Sequence, residues 1–329
     1  MCQFRPLLFA PRFGAVLLGA MLLQHPALAG ADDNDELDEI YRNGGACTRT
    51  AVAAVRACQF QAQGAGWIKR GVCANLADPN ERPKCGDAAI ASAEKAEDDC
   101  GEQFEARRSV CQTLGDAPHD LKIDPAMFVP PADIGKSVQP NPYFPLTRGR
   151  TTIFKGAGET ITVTVTTETR EILGVPCAVI HDTVTDRSGR LIEDTVDWYA
   201  QDLLGNVWYF GESAQNYKDG YLANLNGSWV AGANGAKAGI AMKAPPAPGM
   251  TYREEFALGV AEDLSEIVSI TGSAKVPAAS CDGDCVVTRN FTPIEPGAVT
   301  TKYYARGAGL ILEVDRESGE RKELAEIRN

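Results

Sequence analysis

Carboxylates and aromatic rings are the residues of this 329-residue chain that are best placed to do chemistry. They fall on a stretch with the period-two alternation of β-strands, so their side chains can gather on one sheet face. Two carboxylates held about 5–9 Å apart beside aromatic rings can bind a sugar or hydrolyse a glycosidic bond, and carboxylates also bind calcium. The candidate catalytic residues are Asp182, Glu193, Asp197 and Glu212. The candidate ligand-binding residues are Trp198, Tyr199, Trp208, Tyr209, Phe210 and Trp229.

A purely structural role is the alternative for the same residues. Alternate strand positions commonly expose charge to water, and Trp and Tyr side chains often fill the core of a barrel. The same two interpretations apply to five further acidic residues, which are Asp202, Glu254, Glu255, Glu262 and Asp263.

Other catalytic chemistry has little support in the sequence. A Ser-His-Asp triad needs a histidine held beside a nucleophile, but the chain has no G-x-S-x-G motif, and its downstream histidines are His119 in a proline-rich stretch and His181 on a predicted strand. The metal-binding spacings H-E-x-x-H and C-x-x-C do not occur either. The sequence therefore favours a noncatalytic protein without a metal or cofactor.

The first 29 residues predict a secretory signal peptide. Arg5 and Arg12 are followed by an apolar run over 14–23 and by an A-x-A cleavage signal ending at Ala29. The apolar run is about half the roughly 20 residues that a membrane-spanning helix needs. We therefore expect a periplasmic or secreted protein that has no membrane span.

The charge of the chain argues against nucleic acid as a partner. Loss of a leader that has two arginines and no acidic residue changes the formal net charge from -12 to -14. Such an acidic surface is expected to repel the phosphates of nucleic acids and anionic lipid. A small apolar or mixed ligand, or a protein of the cell envelope, is the expected partner.

Six cysteines have a mirror-symmetric spacing of 11, 15, 12, 15 and 11 positions. In an oxidising compartment they are expected to form disulfides, and eleven residues make about three helical turns, which places successive cysteines on one helix face. A chain that folds back near Pro79 would then pair them in nested order. The predicted disulfides of this α-hairpin, which spans 46–115, are Cys47–Cys111, Cys58–Cys100 and Cys73–Cys85.

The rest of the chain divides by composition. Residues 30–45 are acidic and are predicted to be mobile, and 116–145 are proline-rich and are predicted to form a packed linker. From 146 to 329 the pattern is that of β-strands separated by turns; Ile161, Val163 and Val165, for example, alternate with threonines. The predicted fold class is therefore α+β, with an antiparallel meander curled into a half-barrel or barrel, and a sandwich as the alternative.

Three more cysteines lie in the predicted β domain, so one of them must stay unpaired. Cys281 and Cys285 could close their own turn, or one of them could reach Cys177 across strands. The spacing alone leaves both pairings open.

Several motifs of the β domain resemble a family of uncharacterised secreted bacterial proteins. They begin with Asn141 to Leu146 (NPYFPL) and continue with Asp194 to Asp202 (DTVDWYAQD) and Gly205 to Glu212 (GNVWYFGE). The resemblance covers most of 141–315, and more loosely the cysteine hairpin. It implies a β-rich domain and an extracytoplasmic location, but no activity.

The same resemblance implies a pairing of Cys177 with Cys285, because family members often have cysteines at both positions. They more often have arginine in place of His181, which weakens any role for that histidine. On all these grounds we expect a noncatalytic ligand-binding module. The alternatives are a carboxylate-based hydrolase that acts on a cell-surface polymer and an envelope module that binds another protein.

Overall fold

The computed structural model describes residues 31–329, which form two compact units, one helical and one built on a β-sheet. The predicted signal peptide lies outside the described residues. No helix within the described range is long and apolar enough to cross a membrane.

The helical unit is a disulfide-linked hairpin with one additional helix. Its helices are α1 (Ala31–Asn43), α2 (Ala46–Ala74) and α3 (Glu81–Leu114). The nested cysteine pairing is confirmed, with Cα–Cα distances of 5.6 Å for Cys47–Cys111, 5.7 Å for Cys58–Cys100 and 5.4 Å for Cys73–Cys85. The two long helices are thus cross-linked at three levels.

The core of this unit is small, and α1 takes part in it. Ala51, Val52 and Val55 of α2 pack against Cys100 and Phe104 of α3, and two residues of α1, Leu37 and Ile40, cover the cluster. The segment 30–45, which the sequence predicts to be mobile, contains the helix α1, whose apolar side chains lie one turn apart and pack against α2.

Hydrogen bonds also connect the start of α2 to the end of α3 at the open end of the hairpin. Gly115 ends α3 with a positive φ of 90°, and the next residue, Asp116, accepts hydrogen bonds from the backbone N–H groups of Gly45 and Thr48 at 2.6 and 2.7 Å. These bonds satisfy free donors at the start of α2. They also lower the pKa of Asp116.

The β unit begins at His119, so the boundary predicted near 146 lies too late. The proline-rich segment packs directly on the sheet: the Val129 N–H donates to the Gln201 carbonyl at 2.9 Å, and Phe128 forms a β-bridge with Asp202. Phe128, Val129, Ile134 and Tyr143 are buried in the main core of this unit. Apolar residues between the prolines make this segment a layer of the fold.

Fifteen strands form one sheet in which all the paired strands are antiparallel. In chain order they are β1 (Thr151–Gly156), β2 (Glu159–Ile172), β3 (Val175–Asp186), β4 (Leu191–Gln201), β5 (Val207–Lys218), β6 (Tyr221–Asn224), β7 (Trp229–Val230), β8 (Lys237–Met242), β9 (Thr251–Arg253), β10 (Glu255–Phe256), β11 (Leu264–Val276), β12 (Ala279–Phe291), β13 (Val299–Ala305), β14 (Gly309–Asp315) and β15 (Arg321–Arg328).

The sheet curls into a nearly closed barrel. Its order is β10-β8-β5-β4-β3-β2-β1-β15-β14-β13-β12-β11-β9, so β1 and β15 join the two halves of the chain at the centre. The two ends of the sheet, β9 and β10, are separated in sequence by a single residue, Glu254. The predicted antiparallel barrel is therefore confirmed, and the sandwich alternative is wrong, because no second sheet exists in the described part of the chain.

The cysteines of the β unit pair within one strand. Cys281 and Cys285 of β12 form a disulfide with a Cα–Cα distance of 5.4 Å, and Cys177 is free and buried. The pairing of Cys177 with Cys285 is therefore wrong. Cys177 belongs to the main core, whereas Cys281 and Cys285 belong to a second cluster around Phe154 and Leu324.

Candidate functional site

Three of the four candidate catalytic carboxylates meet on one face of the sheet. Asp197 of β4 pairs with Ile180 of β3 on one side and with Glu212 of β5 on the other, and Asp182 lies two residues after Ile180. Side chains two residues apart in a strand share a face. Asp182, Asp197 and Glu212 are each at most 5% exposed, so the interpretation that these charges face water is wrong.

The hydroxyl group of Tyr209 links two of these carboxyl groups. It lies 2.6 Å from Asp197 Oδ1 and 3.1 Å from Glu212 Oε2. A phenol has one hydrogen to donate, so the two contacts can both be hydrogen bonds only when one carboxyl group is protonated and donates back to Tyr209. The geometry thus favours a state in which one of the two carboxyl groups holds its proton.

Burial is the main cause of the altered acidity of this cluster. It raises the pKa of Asp197 to about 7, against the opposing effect of the Tyr209 hydrogen bond. Burial and then the Glu255 and Asp197 charges raise the pKa of Glu212 well above its usual value. Burial and then the Asp197 and Glu193 charges do the same for Asp182. A low-dielectric site disfavours the ionised form of each carboxyl group.

Asp182 and Asp197 also line a cavity of about 100 Å³. Most of its wall is apolar, and its lining includes Phe144, Phe154, Val163, Val165, Ile180, Tyr199, Tyr304 and Leu310. Asp182 Oδ1 is buried without a hydrogen-bond partner among the described residues. A buried carboxyl oxygen without a hydrogen-bond partner is costly unless the group is protonated or something pairs with it.

Arg150 is the cationic residue of the cavity lining. Its guanidinium group is half-buried and donates a hydrogen bond to the Ala308 carbonyl at 2.7 Å, and burial lowers its pKa. Arg150 could not be predicted from the sequence, because it belongs to no recognisable motif.

The aromatic candidates divide between the two faces of the sheet. Tyr199 lines the cavity and stacks on Tyr209, with ring centroids 4.3 Å apart. Trp208 and Phe210 instead pack edge-on against Phe128 of the proline-rich segment. Because side chains alternate along a strand, Trp208 and Phe210 lie on the sheet face opposite the carboxylates, where they pack in the hydrophobic core.

Trp198 and Trp229 have structural contacts as well. The guanidinium group of Arg170 covers the Trp198 ring at 3.8 Å, and Trp229 packs edge-on against Tyr209 at 5.3 Å. Neither residue lines the cavity. Of the six aromatic candidates, Tyr199 lines this cavity, and Tyr199 and Tyr209 line a smaller one beside it.

Glu193 stands at the edge of the site. It is half-buried on β4, four residues before Asp197 on the same face, and the hydroxyl group of Thr195 donates to its Oε1 at 3.3 Å. Its negative charge raises the pKa values of both Asp182 and Asp197. Glu193 thus affects the acidity of Asp182 and Asp197 through the electric field of its charge.

A second, smaller cavity of about 20 Å³ has a strongly charged lining. Glu254, Glu255 and Asp263 contribute carboxyl groups to it, and Lys302 contributes an ammonium group. Its volume suits about one water molecule. Burial raises the pKa of Glu255 well above its usual value and that of Asp263 to about 7. The cavity is thus lined by buried ionisable groups, and the positive charge of Lys302 partly balances the negative charge of the carboxylates.

The described residues offer one cluster with the spacing of metal ligands, made of Cys47, Cys111 and Asp116. The sulfur atoms of Cys47 and Cys111 are bonded to each other, so they are not thiolate ligands. The carboxylates of the β unit do not form such a cluster within the described range.

The histidines lie outside the carboxylate cavity. His181 Nε2 contacts Asp194 Oδ1 at 2.6 Å and is largely exposed, on the sheet face opposite Asp182. His119 Nε2 contacts the Ala238 carbonyl at 3.1 Å, and burial lowers its pKa.

The motif residues that begin the β domain have structural partners. The Asn141 side chain accepts hydrogen bonds from the N–H groups of Tyr143 and Phe144 and donates one to the Gly205 carbonyl. Gln201 accepts a hydrogen bond from the Asn141 N–H. This network holds Phe144 and Leu146 at the cavity wall.

Comparison with known proteins gives one structural likeness. No family model and no curated protein matches the chain. A solved structure named "putative lipoprotein from Parabacteroides distasonis ATCC 8503" is 15% identical, with a TM-score of 0.33, over 58% of this chain and 100% of that one. A likeness at this level carries no argument about function. By its own geometry, the chain is a disulfide-bonded α+β protein with a nearly closed antiparallel barrel and an internal carboxylate cavity.

Proposed function

We propose that the β unit is a noncatalytic binding module of an exported protein, and that its cavity takes a small ligand with an apolar body and a basic amine. The observation that supports this most is the buried Oδ1 of Asp182, which has no hydrogen-bond partner among the described residues, on a residue that lines a mostly apolar cavity. Four disulfides support export, because disulfides persist in oxidising compartments.

The size of the cavity limits the ligand. A cavity of about 150 Å³ holds benzene, so one of about 100 Å³ takes a group of a few carbon atoms or a compact ring after slight adjustment. Phe144, Arg150 and Leu310 at the cavity are only half-buried, so a longer ligand can extend past them into solvent.

The charge of the cavity favours a cation. An ammonium group beside Asp182 and Asp197 would pair with buried carboxylates in a low dielectric, where such contacts are strong. A carboxylate ligand could pair with Arg150, whose guanidinium group already donates to the Ala308 carbonyl, but it would then lie in the same cavity as the carboxyl groups of Asp182 and Asp197. Because burial favours the protonated form of both acids, binding of an ammonium group is coupled to the loss of a proton.

Calorimetric titration with benzylamine, benzyl alcohol and benzoate tests the proposal. We expect benzylamine to bind best, and to bind more tightly as the pH rises from 5 to 8, because the carboxyl groups must lose their protons. Asp182→Asn should weaken benzylamine binding at least tenfold. Asp219→Asn is the matched control, since Asp219 is exposed with a positive φ of 54° that asparagine also adopts.

Two results would contradict this assignment. One is equal binding of benzyl alcohol and benzylamine, which would show that charge plays no part. The other is unchanged benzylamine affinity in Asp182→Asn with a normal circular dichroism spectrum, which would place the ligand elsewhere.

The hydrolase alternative has one geometric point in its favour. Asp197 Oδ1 and Glu212 Oε2 both contact the Tyr209 hydroxyl group, so they lie within about 6 Å of each other, close to the spacing in retaining glycosidases. However, Tyr209 fills the space between them, and the cavity is smaller than the roughly 300 Å³ of a typical ligand site. We therefore favour binding over hydrolysis.

A further inference from the structure

One side of α2 exposes large apolar residues near the closed end of the hairpin. The exposed fractions are 72% for Phe60, 69% for Trp67, 72% for Ile68 and 62% for Val72. At 100° per residue these four side chains fall within one broad side of the helix, over a length of about 18 Å. We call them the α2 apolar face. Contiguous exposed apolar residues of this kind typically mark an interaction site.

The hairpin keeps this face exposed. The disulfides Cys58–Cys100 and Cys73–Cys85 fix the opposite side of α2 against α3 at both ends of the apolar stretch. Gly64 and Gly71 lie between the large side chains, and no described atom lies within 4 Å of a Cβ placed on either. The apolar face therefore cannot turn inward without breaking a covalent link.

The charge of α2 contrasts with that of the rest of the chain. This helix has four basic residues, Arg49, Arg56, Lys69 and Arg70, and no acidic residue, whereas α3 has eight acidic and five basic residues. The Arg70 guanidinium group stacks over the Trp67 ring at 4.8 Å. A basic charge is thus part of the same surface as the largest exposed aromatic ring.

We propose that the α2 apolar face docks on the surface of an anionic lipid bilayer. Trp and Phe side chains beside Arg and Lys are the composition of helices that lie in the membrane interface. In this arrangement Phe60, Trp67 and Ile68 enter the headgroup region, and Arg70 pairs with lipid phosphate groups. The helix lies on the membrane and does not span it.

Charge also favours an anionic lipid bilayer over a second copy of the chain as the partner of the α2 apolar face. A symmetric dimer through the α2 apolar face would bring both copies of Arg70 into one interface, since a two-fold interface pairs the same patch with itself. Like charges at such a contact are unfavourable. An anionic surface complements the local charge of α2, which has four basic and no acidic residues, although the chain as a whole is acidic.

The test is binding of the full exported chain to vesicles, followed by flotation and by tryptophan fluorescence. One set of vesicles contains phosphatidylethanolamine and phosphatidylglycerol, and the other contains phosphatidylcholine alone. Trp67 is an exposed reporter, whereas Trp198 and Trp229 are buried and Trp208 is partly buried. We expect flotation and a blue shift with the anionic vesicles only, and weaker binding at high salt.

Two variants and a control locate the surface. The double variant Phe60→Ser/Ile68→Ser keeps the reporter and should reduce binding to anionic vesicles at least tenfold. Arg70→Gln should reduce the binding and its salt dependence together. Leu204→Ser makes a similar change at another exposed apolar residue, on the β unit, and should bind as the original chain does.

Three outcomes would overturn the proposal. These are no binding to anionic vesicles, binding that the double variant leaves unchanged, and self-association in the absence of lipid that the double variant abolishes. Circular dichroism and an intact count of disulfides show whether each variant has folded, so a folding failure is recognised separately.

Discussion

At the scale of single residues, the contact of Tyr209 with two carboxyl groups decides how the barrel interior responds to pH. The Tyr209 hydroxyl group has one hydrogen to donate but contacts both Asp197 and Glu212. Unfolding exposes both carboxyl groups to water, where they ionise at ordinary pKa values. The folded protein therefore holds more protons than the unfolded protein at mildly acidic and neutral pH.

This difference predicts that the stability of the β unit falls as the pH rises from about 4 to 7. The pKa of Asp197 is about 7 in the folded protein and about 3.8 when unfolded, and each pH unit between them costs about 1.4 kcal/mol per group. Asp197→Asn removes this cost and still accepts the Tyr209 hydrogen bond. We expect Asp197→Asn to change the free energy of unfolding more favourably at pH 8 than at pH 5, by on the order of 2 kcal/mol.

Thermal unfolding at pH 5 and pH 8 measures this, with Asp219→Asn as the control at an exposed position. The same loss of stability in Asp197→Asn at both pH values would show that the carboxylate is ionised and structurally required.

Part of this site was predictable from the sequence. Period-two alternation placed Asp182, Asp197 and Glu212 on neighbouring strands, and the structure brings them together. Their burial was not predictable. The segment that contributes Tyr143 and Phe144 to the same cavity lies in a proline-rich stretch without periodicity. Arg150 and Lys302 were missed because a lone basic residue has no sequence signature of its own.

At the scale of elements, the three disulfides of the hairpin replace a large core. The buried apolar cluster of this unit has five members: Ala51, Val52, Val55, Cys100 and Phe104. Such a core is too small to hold two helices of 29 and 34 residues together along their full length. The covalent links supply stability chiefly by restricting the unfolded chain.

The links should therefore differ in their effect according to the loop that each one closes. Cys47 and Cys111 are 64 residues apart, and Cys73 and Cys85 are 12 apart. Loop entropy predicts that Cys47→Ser/Cys111→Ser costs about 4 kcal/mol and Cys73→Ser/Cys85→Ser about 3 kcal/mol. Urea unfolding of the helical signal measures both values. A larger loss of stability from Cys73→Ser/Cys85→Ser would show that local strain or packing, and not loop closure, sets the contribution of these disulfides.

The elements themselves were unequally predictable. The cysteine spacing predicted α2, α3 and their pairing, because helical period and chain reversal leave few solutions. The helix α1 was missed, since an acidic composition resembles that of a mobile segment and only Leu37 and Ile40 pack. The short strands β6, β7 and β8 were missed because glycine and proline interrupt 220–249.

At the scale of the whole molecule, the chain has two units whose interiors are held in different ways. The helical unit relies on cross-links, and the β unit relies on two apolar clusters and buried ion pairs, such as that of Lys322 with Glu159 at 3.0 Å. A covalent link in the β unit, Cys281–Cys285, encloses a separation of four residues. Its loss would change loop entropy very little.

Reducing agents should therefore act on one unit only. We expect two transitions in differential scanning calorimetry. Addition of a phosphine reductant should lower the helical transition by more than 10 °C, an order-of-magnitude estimate for the loss of several kcal/mol from a small unit, and should leave the β transition nearly unchanged. A single transition that moves as a whole would show that the two units unfold together.

The near-closure of the sheet at β9 and β10 has a consequence for behaviour in concentrated solution. The terminal strands of the sheet have three and two residues and adjoin each other through Glu254, whose Oε1 accepts a hydrogen bond from the Asn290 amide group. Molecules stack into fibrils when a long strand offers unsatisfied backbone groups to a neighbour. Because β9 pairs with β11 over Leu264 to Glu266 only, the later part of β11 is the longer strand edge at this end of the sheet, and we expect a lysine placed there, as in Ile270→Lys, to lower light scattering by the concentrated protein.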